Sequence, residues 1–260
     1  MRVVAITGAS AGIGRATALR LARDGAALAI CARRRDRLDA AAAEMTAAGG
    51  RVLAVAADVT REDDMNALVT QAVDRFGRLD VMMCNAGFGI AGAIDEISPE
   101  QMRSLIDINF MGTYFAARAA LPVFRRQGRG HIVIVSSIVG KRGVPYLGAY
   151  SATKFAQVGL AECLRAEVAG SDIHVSLVYP VSTDSEFFAV MSRETGMVVT
   201  RAAGPRQDAT VVADAIARAI DRPVPEIYPH VASRALVWLN AFAPGLTDRV
   251  VKRFGRKPAR

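Results

Sequence analysis

Short apolar runs alternate along this chain with longer stretches in which apolar residues return every three or four positions. The runs at 3–7, 26–32, 52–57, 79–84, 131–136 and 173–179 are almost unbroken in Val, Ile, Leu and Ala, as befits strands buried on both faces. Helical spacing fills 12–24, 35–48, 61–76, 98–127 and 150–168. This alternation predicts right-handed β-α-β crossovers and an α/β fold, a doubly wound parallel β-sheet with helices on both faces. After residue 180 the pattern loosens into a stretch rich in Ser, Thr, Phe and Met, followed by a helix at about 208–221 and a short strand around 225–228. No internal repeat or low-complexity linker divides the chain. One domain over residues 1–230 is expected, followed by a helical, basic extension over 231–260.

Composition alters this picture little. A chain of 260 residues can form one core, because α/β architectures often reach about 250 residues without dividing. No run of about 18 uninterrupted apolar residues is present, and the first apolar run is too short for a secretory segment. Cys31, Cys84 and Cys163 are scattered in apolar contexts without metal-like spacing, which predicts buried thiols in a reducing compartment and no metal site. A cytoplasmic location is the resulting expectation. The formal net charge of +8 changes meaning once located. Residues 249–260 hold six basic residues and no acid, so the remainder carries only +2 (+8 less the tail's 6). The basic excess belongs to a tail, and no basic stripe interleaved with aromatics points to nucleic acid as a partner.

The first strand runs into T-G-A-S-A-G-I-G, placing Gly8, Gly12 and Gly14 where a strand gives way to a helix. Glycines there permit a tight turn and let backbone N–H groups approach a pyrophosphate at the positive helix end. Further on, Tyr150 and Lys154 stand one helical turn apart, thirteen residues after Ser137, which closes the fifth strand. A free phenol titrates near 10, and bringing it to about 7 requires roughly 4 kcal/mol of selective phenolate stabilisation. One cation about 4 Å away, at an effective dielectric near 20, supplies on the order of that amount. Positions i and i+4 share a helix face. The spacing therefore predicts a phenol tuned by Lys154 to exchange protons near neutrality.

Taken together, the segment 7–14, Asn85-Ala86-Gly87, Ser137, Tyr150 and Lys154 resemble the short-chain dehydrogenase/reductase superfamily in its roughly 250-residue, single-domain Rossmann form. The resemblance covers about residues 1–228. It implies an oxidoreductase that moves hydride between a nicotinamide and a carbonyl or secondary alcohol. Within it, Tyr150 protonates the substrate oxygen, Ser137 hydrogen-bonds that oxygen, Lys154 also holds the nicotinamide ribose, and Asn109 holds a water for proton relay. Gly8, Ser10, Gly12, Ile13, Gly14, Asp58, Val59, Asn85, Ala86, Gly87, Pro180 and Ser185 are the implied cofactor contacts, together with Tyr150 and Lys154.

The second strand ends C-A-R-R-R-D. A guanidinium fork at Arg33, with Arg34 second, suits a 2′-phosphate where a carboxylate would repel it, so the expected cofactor is NADP(H). Arg35 and Arg37 read as an ordinary charged helix start. Ser136, lacking the family spacing, and His131, His174 and His230, lacking partner patterns, read as packing or surface residues.

Two regions depart from the family pattern. Val181 stands where the family usually has glycine, and Ser185 where it has a threonine touching the carboxamide. The flexible substrate cover that the resemblance implies at about 181–205 carries Phe187, Phe188, Met191, Met197, Val198 and Val199, which either pack it down or accommodate a bulky apolar substrate. Residues 235–246 are apolar apart from Asn240, and the basic cluster comes after them. Such a segment contacts another subunit, caps the pocket mouth or lies in a membrane interface. The resemblance implies a homodimer or homotetramer built on the 98–127 and 150–168 helices. Two other readings stand beside the main one: a 3-oxoacyl-acyl-carrier-protein reductase, and a catalytically silent NADP-binding scaffold.

Overall fold

A computed structural model describes residues 1–184, 187–195 and 206–252. In chain order the elements are β1 (Val3–Thr7), α1 (Gly12–Arg23), β2 (Ala27–Ala32), α2 (Arg35–Ala47), β3 (Arg51–Ala56), α3 (Glu62–Phe76), β4 (Val81–Cys84), α4 (Pro99–Leu105), α5 (Gly112–Gln127), β5 (Arg129–Val135), α6 (Gly148–Glu167) and β6 (Asp172–Val178). Then come β7 (Ser182–Asp184), α7 (Phe187–Thr195), β8 (Arg206–Asp208), α8 (Ala209–Asp221), β9 (Glu226–Ile227), α9 (Ser233–Phe242) and α10 (Pro244–Lys252).

Seven parallel strands form the main sheet in the order β3-β2-β1-β4-β5-β6-β9. The order reverses direction at β1, so the crevice between the ends of β1 and β4 is the topological switch point where such sheets bind ligands. Successive residues of β1 point to opposite faces. Val3 and Ala5 join a core with Met65, Leu68, Ala116 and Ala161 of α3, α5 and α6. Val4 and Ile6 join one with Ala18, Leu21, Leu38 and Ile216 of α1, α2 and α8. Both faces are thus covered, which is why these strands read as unbroken apolar runs.

Three features differ from the sequence expectation. The stretch 98–127 is not one α-helix: a π-helical segment, Ile106–Met111, separates α4 from α5. A short parallel pair, β7 with β8, appears beside the main sheet; strands of three residues leave no periodic trace. Cys31 and Cys84 are buried but Cys163 is exposed. Its apolar neighbours Ala161 and Leu164 point inward from α6, and helical rotation turns residue 163 outward.

Candidate active site

Gly8 (φ 68°) and Gly12 (φ 54°) occupy the left-handed region, which only glycine enters freely. A Cβ on Gly8 would lie 2.8 Å from the Ala86 Cα. The turn is braced from the neighbouring strand. Asn85 Nδ2 donates to the carbonyls of Thr7 (2.9 Å) and Gly8 (3.2 Å), and the Thr7 hydroxyl accepts from the N–H groups of Asn85 and Ala86. Ser10 and Ile13 lie half-buried in the same turn. The helix that follows, α1, has Ala11 as its N-cap residue, with no side-chain cap and no acid in its first turn. Its N–H groups and positive dipole end are left uncompensated at the carboxyl end of the sheet, a setting that suits a phosphate.

Arg33 is exposed just past β2 and has no ion-pair partner among the described residues. Arg34 is the N-cap residue of α2. Arg35 pairs with Asp39 at 2.8 Å, as a helix-start residue would. Asp58 closes its own turn, one carboxylate oxygen accepting from the Thr60 N–H (3.0 Å) and hydroxyl (2.9 Å). Val59 is buried and packs on Gly112, so only its backbone is available to a ligand.

Ser137 leaves β5 in extended conformation and begins a short 3₁₀ turn, Ile138–Gly140. Its hydroxyl donates to the Pro180 carbonyl at 3.5 Å, accepts from the Val139 N–H at 3.4 Å, and lies near enough to the Tyr150 phenol to favour its ionised form. The neighbouring Ser136 is buried with its hydroxyl donating to the Lys154 carbonyl (3.1 Å), a packing role. Lys154 stands 5.6 Å from the centre of the Tyr150 ring, the adjacency expected from the i,i+4 spacing. The electrostatics run against the expected tuning. Burial pushes the phenol above its ordinary value, with the Ser137 hydrogen bond pulling the other way. Burial also brings the Lys154 ammonium down to about 7. Both side chains are almost fully buried, and desolvation penalises phenolate and ammonium alike. The phenol is therefore held neutral, the state of a proton donor.

Asn109, inside the π-helical segment, is fully buried. Its side chain clamps Phe88, accepting from the Phe88 N–H and donating to its carbonyl (both 2.9 Å), and also donates to the Thr153 hydroxyl (3.0 Å). The Asn109 carbonyl accepts from Gln157 Nε2 (2.7 Å) and from the Thr113 hydroxyl (2.8 Å). Each of its polar side-chain atoms and its carbonyl thus has a protein partner. Gln157, which sequence reasoning passed over, reaches from that carbonyl to Lys154, its Oε1 accepting from Nζ at 3.1 Å. Because Nε2 is committed to Asn109 and Thr113, the oxygen must face the amine. With the Val135 carbonyl at 3.0 Å, it favours the charged form that burial disfavours. Gly87 closes the group, where a Cβ would fall 2.9 Å from Asn109 Oδ1 and 3.7 Å from Lys154 Nζ. Gln157→Leu is expected to preserve the fold, since Thr113 still donates to Asn109. The basic limb of the pH–rate profile should move down by about one pH unit as Lys154 loses an acceptor. An unmoved limb would assign Gln157 to packing alone.

Residues 2–196 match the sequence model of the family described as short chain dehydrogenase. The chain belongs to the short-chain dehydrogenase family. It is 35% identical over 228 residues to an uncharacterized oxidoreductase of Listeria innocua, covering 85% of this chain and 91% of that one. It superposes with a TM-score of 0.84 on a short-chain dehydrogenase/reductase of Burkholderia phymatum in complex with NAD, at 28% identity over 94% of each chain. An alcohol dehydrogenase of Thermococcus sibiricus, complexed with 5-hydroxy-NADP, gives 0.77 at 31% identity over 88% of this chain and 95% of that one.

In this short-chain dehydrogenase the phenol sits among apolar walls. Ile90, Leu105, Val139 and Ala149 form a small core with Tyr150, and Phe88, Ile97, Met102 and Phe187 pack on it. Phe187, from the segment read as a cover, meets the Tyr150 ring at 5.4 Å, and Met191 is buried. Tyr146, two residues before α6, holds a left-handed φ of 65° while its carbonyl accepts from the Gly92 N–H at 2.9 Å. Such strain in a non-glycine residue is common at functional sites; nothing in the local sequence signals it. Ser185, Met197, Val198 and Val199 lie outside the described residues. His131 is buried, bonded to Ser176 (2.8 Å) and held neutral, its titration lowered to about 3 mainly by burial. His174 pairs with Asp172 (3.1 Å). No group of His, Cys, Asp or Glu among the described residues is arranged to hold a metal.

Proposed function

We propose that this protein is an NADP(H)-dependent reductase that transfers hydride between the nicotinamide and the carbonyl or secondary-alcohol carbon of a bulky, largely apolar substrate. The observation that carries this reading is the convergence of Ser137, Tyr150 and Lys154 at the carboxyl end of the sheet. When bound, the cofactor supplies the hydride. The side chains do the rest. Ser137 donates a hydrogen bond to the substrate oxygen, and Tyr150, neutral through burial, transfers its proton to that oxygen as charge develops there. Lys154 stabilises the phenolate left behind, and Gln157 and the Val135 carbonyl hold Lys154 in place. The walls from Phe88, Ile90, Val139 and Phe187 favour an apolar substrate over a small polar one.

Arg33, exposed past β2 and without an ion-pair partner among the described residues, supports NADP(H) over NAD(H). A fork of donors on the 2′-phosphate contributes the 1.5–3 kcal/mol typical of hydrogen bonds to charged groups, roughly tenfold to a hundredfold in affinity. Arg33→Ala is expected to raise the KM for NADPH by about that factor and leave NADH nearly unchanged. The measurement is reduced-nicotinamide absorbance with a panel of ketones, aldehydes and a 3-oxoacyl thioester, each with both cofactors. Equal use of NADH and NADPH, unaltered in the variant, would refute the cofactor assignment. Lack of turnover across the panel would count against the reductase itself. A homodimer or tetramer through α5 and α6 fits Tyr114 and Phe155, which those helices leave 37% and 46% exposed.

A further inference from the structure

The α9 helix turns its apolar face to solvent. Ala235, Trp238, Ala241 and Phe242 are exposed, positions that fall on one face of a 3.6-residue repeat, and Leu246 continues the patch into α10. Trp238 is 64% exposed and Phe242 78%. Their rings stack on each other at 5.9 Å, 15° from parallel. Past its first turn the one polar side chain of this helix, Asn240, points the other way. Asn240 accepts from Arg142 Nη1 (2.8 Å) and donates toward the Lys141 carbonyl (3.4 Å), while Arg142 also holds Asp248 of α10. Thr247 and Val251 fasten α10 by burial. Solvent-facing helices normally carry charge outward, yet residues 235–247 contain none.

We propose that this face is a membrane-interface anchor, with Trp238 and Phe242 entering the headgroup layer of an anionic bilayer. The charge balance of this part of the sequence selects that occupant. From Arg234 to the end of the chain the only acid is Asp248, and it is paired with Arg142. Against it stand Arg234, Arg249 and Lys252, with four more basic residues over 253–260. A second copy seated on the same patch would bring the same cations together, whereas an anionic surface neutralises them. Aromatic rings at headgroup depth flanked by Lys and Arg are the composition that peripheral interfacial helices use. No helix among the described residues is long and apolar enough to cross a membrane, so the contact is on the surface.

Trp238 is the single tryptophan of the chain, so its emission reads the patch directly. The full-length protein is titrated with vesicles of phosphatidylcholine alone and of phosphatidylcholine mixed with phosphatidylglycerol, at low and high salt. With the anionic vesicles the emission is expected to move to the blue and the protein to pellet, both weakened by salt. Phe242→Ser should lower partitioning about tenfold. Each basic residue near such a surface strengthens attachment roughly fivefold, so Arg249→Glu with Lys252→Glu should cost well over tenfold. Neither change touches the active site, so turnover of a soluble carbonyl compound checks folding. Emission unchanged with either vesicle overturns the proposal, as does equal binding to phosphatidylcholine alone. A blue shift that grows with protein concentration in the absence of lipid, with a doubled mass in light scattering, overturns it in favour of self-association.

Discussion

The Tyr150→Phe protein is expected to bind reduced cofactor as the wild type does and to turn over its carbonyl substrate about a hundredfold to ten-thousandfold more slowly. Only the phenolic oxygen is removed, so the ring keeps its place against Phe187 at 5.4 Å and within the apolar cluster around it. Ser137 still offers a hydrogen bond to the substrate oxygen, but no proton stands in line to neutralise the developing alkoxide. The expected signature is therefore a fall in kcat with little change in cofactor affinity, read by single-turnover kinetics beside a fluorescence titration of NADPH. Wild-type turnover in this variant would remove Tyr150 from the chemistry.

The second large effect concerns stability. Lys154 titrates near 7 in the fold against 10.5 as its ordinary value, because burial disfavours the ammonium. Between those values the unfolded chain binds a proton that the folded chain does not. Stability linked to this group therefore rises with pH from about 7 to about 10 and is lost as pH falls toward 7. At 1.36 kcal/mol per pKa unit the contribution from about pH 7 to about 9.5 is on the order of 3 kcal/mol. Lys154→Met keeps most of the volume without the charge, and urea denaturation at those two pH values should show that increment missing. The variant should also lose turnover, since nothing then stabilises the Tyr150 phenolate. An increment equal to that of the wild type would show that Lys154 does not hold a depressed pKa in the fold.

Part of this site is legible in the sequence itself. Gly8, Gly12 and Gly14 were legible because a strand-to-helix turn demands glycine locally, and Tyr150 and Lys154 because i,i+4 residues share a helix face. Ser137 and Ser136 are adjacent in sequence, and the structure separates them: one hydroxyl faces the phenol, the other the Lys154 carbonyl. Asn109 stands out in the sequence as a polar residue in an apolar helical stretch, but its side-chain partners do not. Its side chain holds Phe88, 21 positions away, and Thr153, 44 positions away, contacts that periodicity does not encode. Arg142 likewise gave no sign that it would hold Asn240 and Asp248 of the terminal helices.

Hydrophobic patterning determined the order of strands and helices, because burial on two faces or on one stripe leaves a periodic record in the residues themselves. Glycine and i,i+4 spacing determined the tight strand-to-helix turn and the adjacency of Tyr150 and Lys154, because both are requirements of local backbone geometry. The tertiary structure alone decided the electrostatic state of the pair, the bridge from Asn109 through Gln157 to Lys154, and which side of α9 meets solvent. Desolvation and long-range hydrogen bonds depend on what packs around a group, and that surrounding comes from elements far apart in the chain.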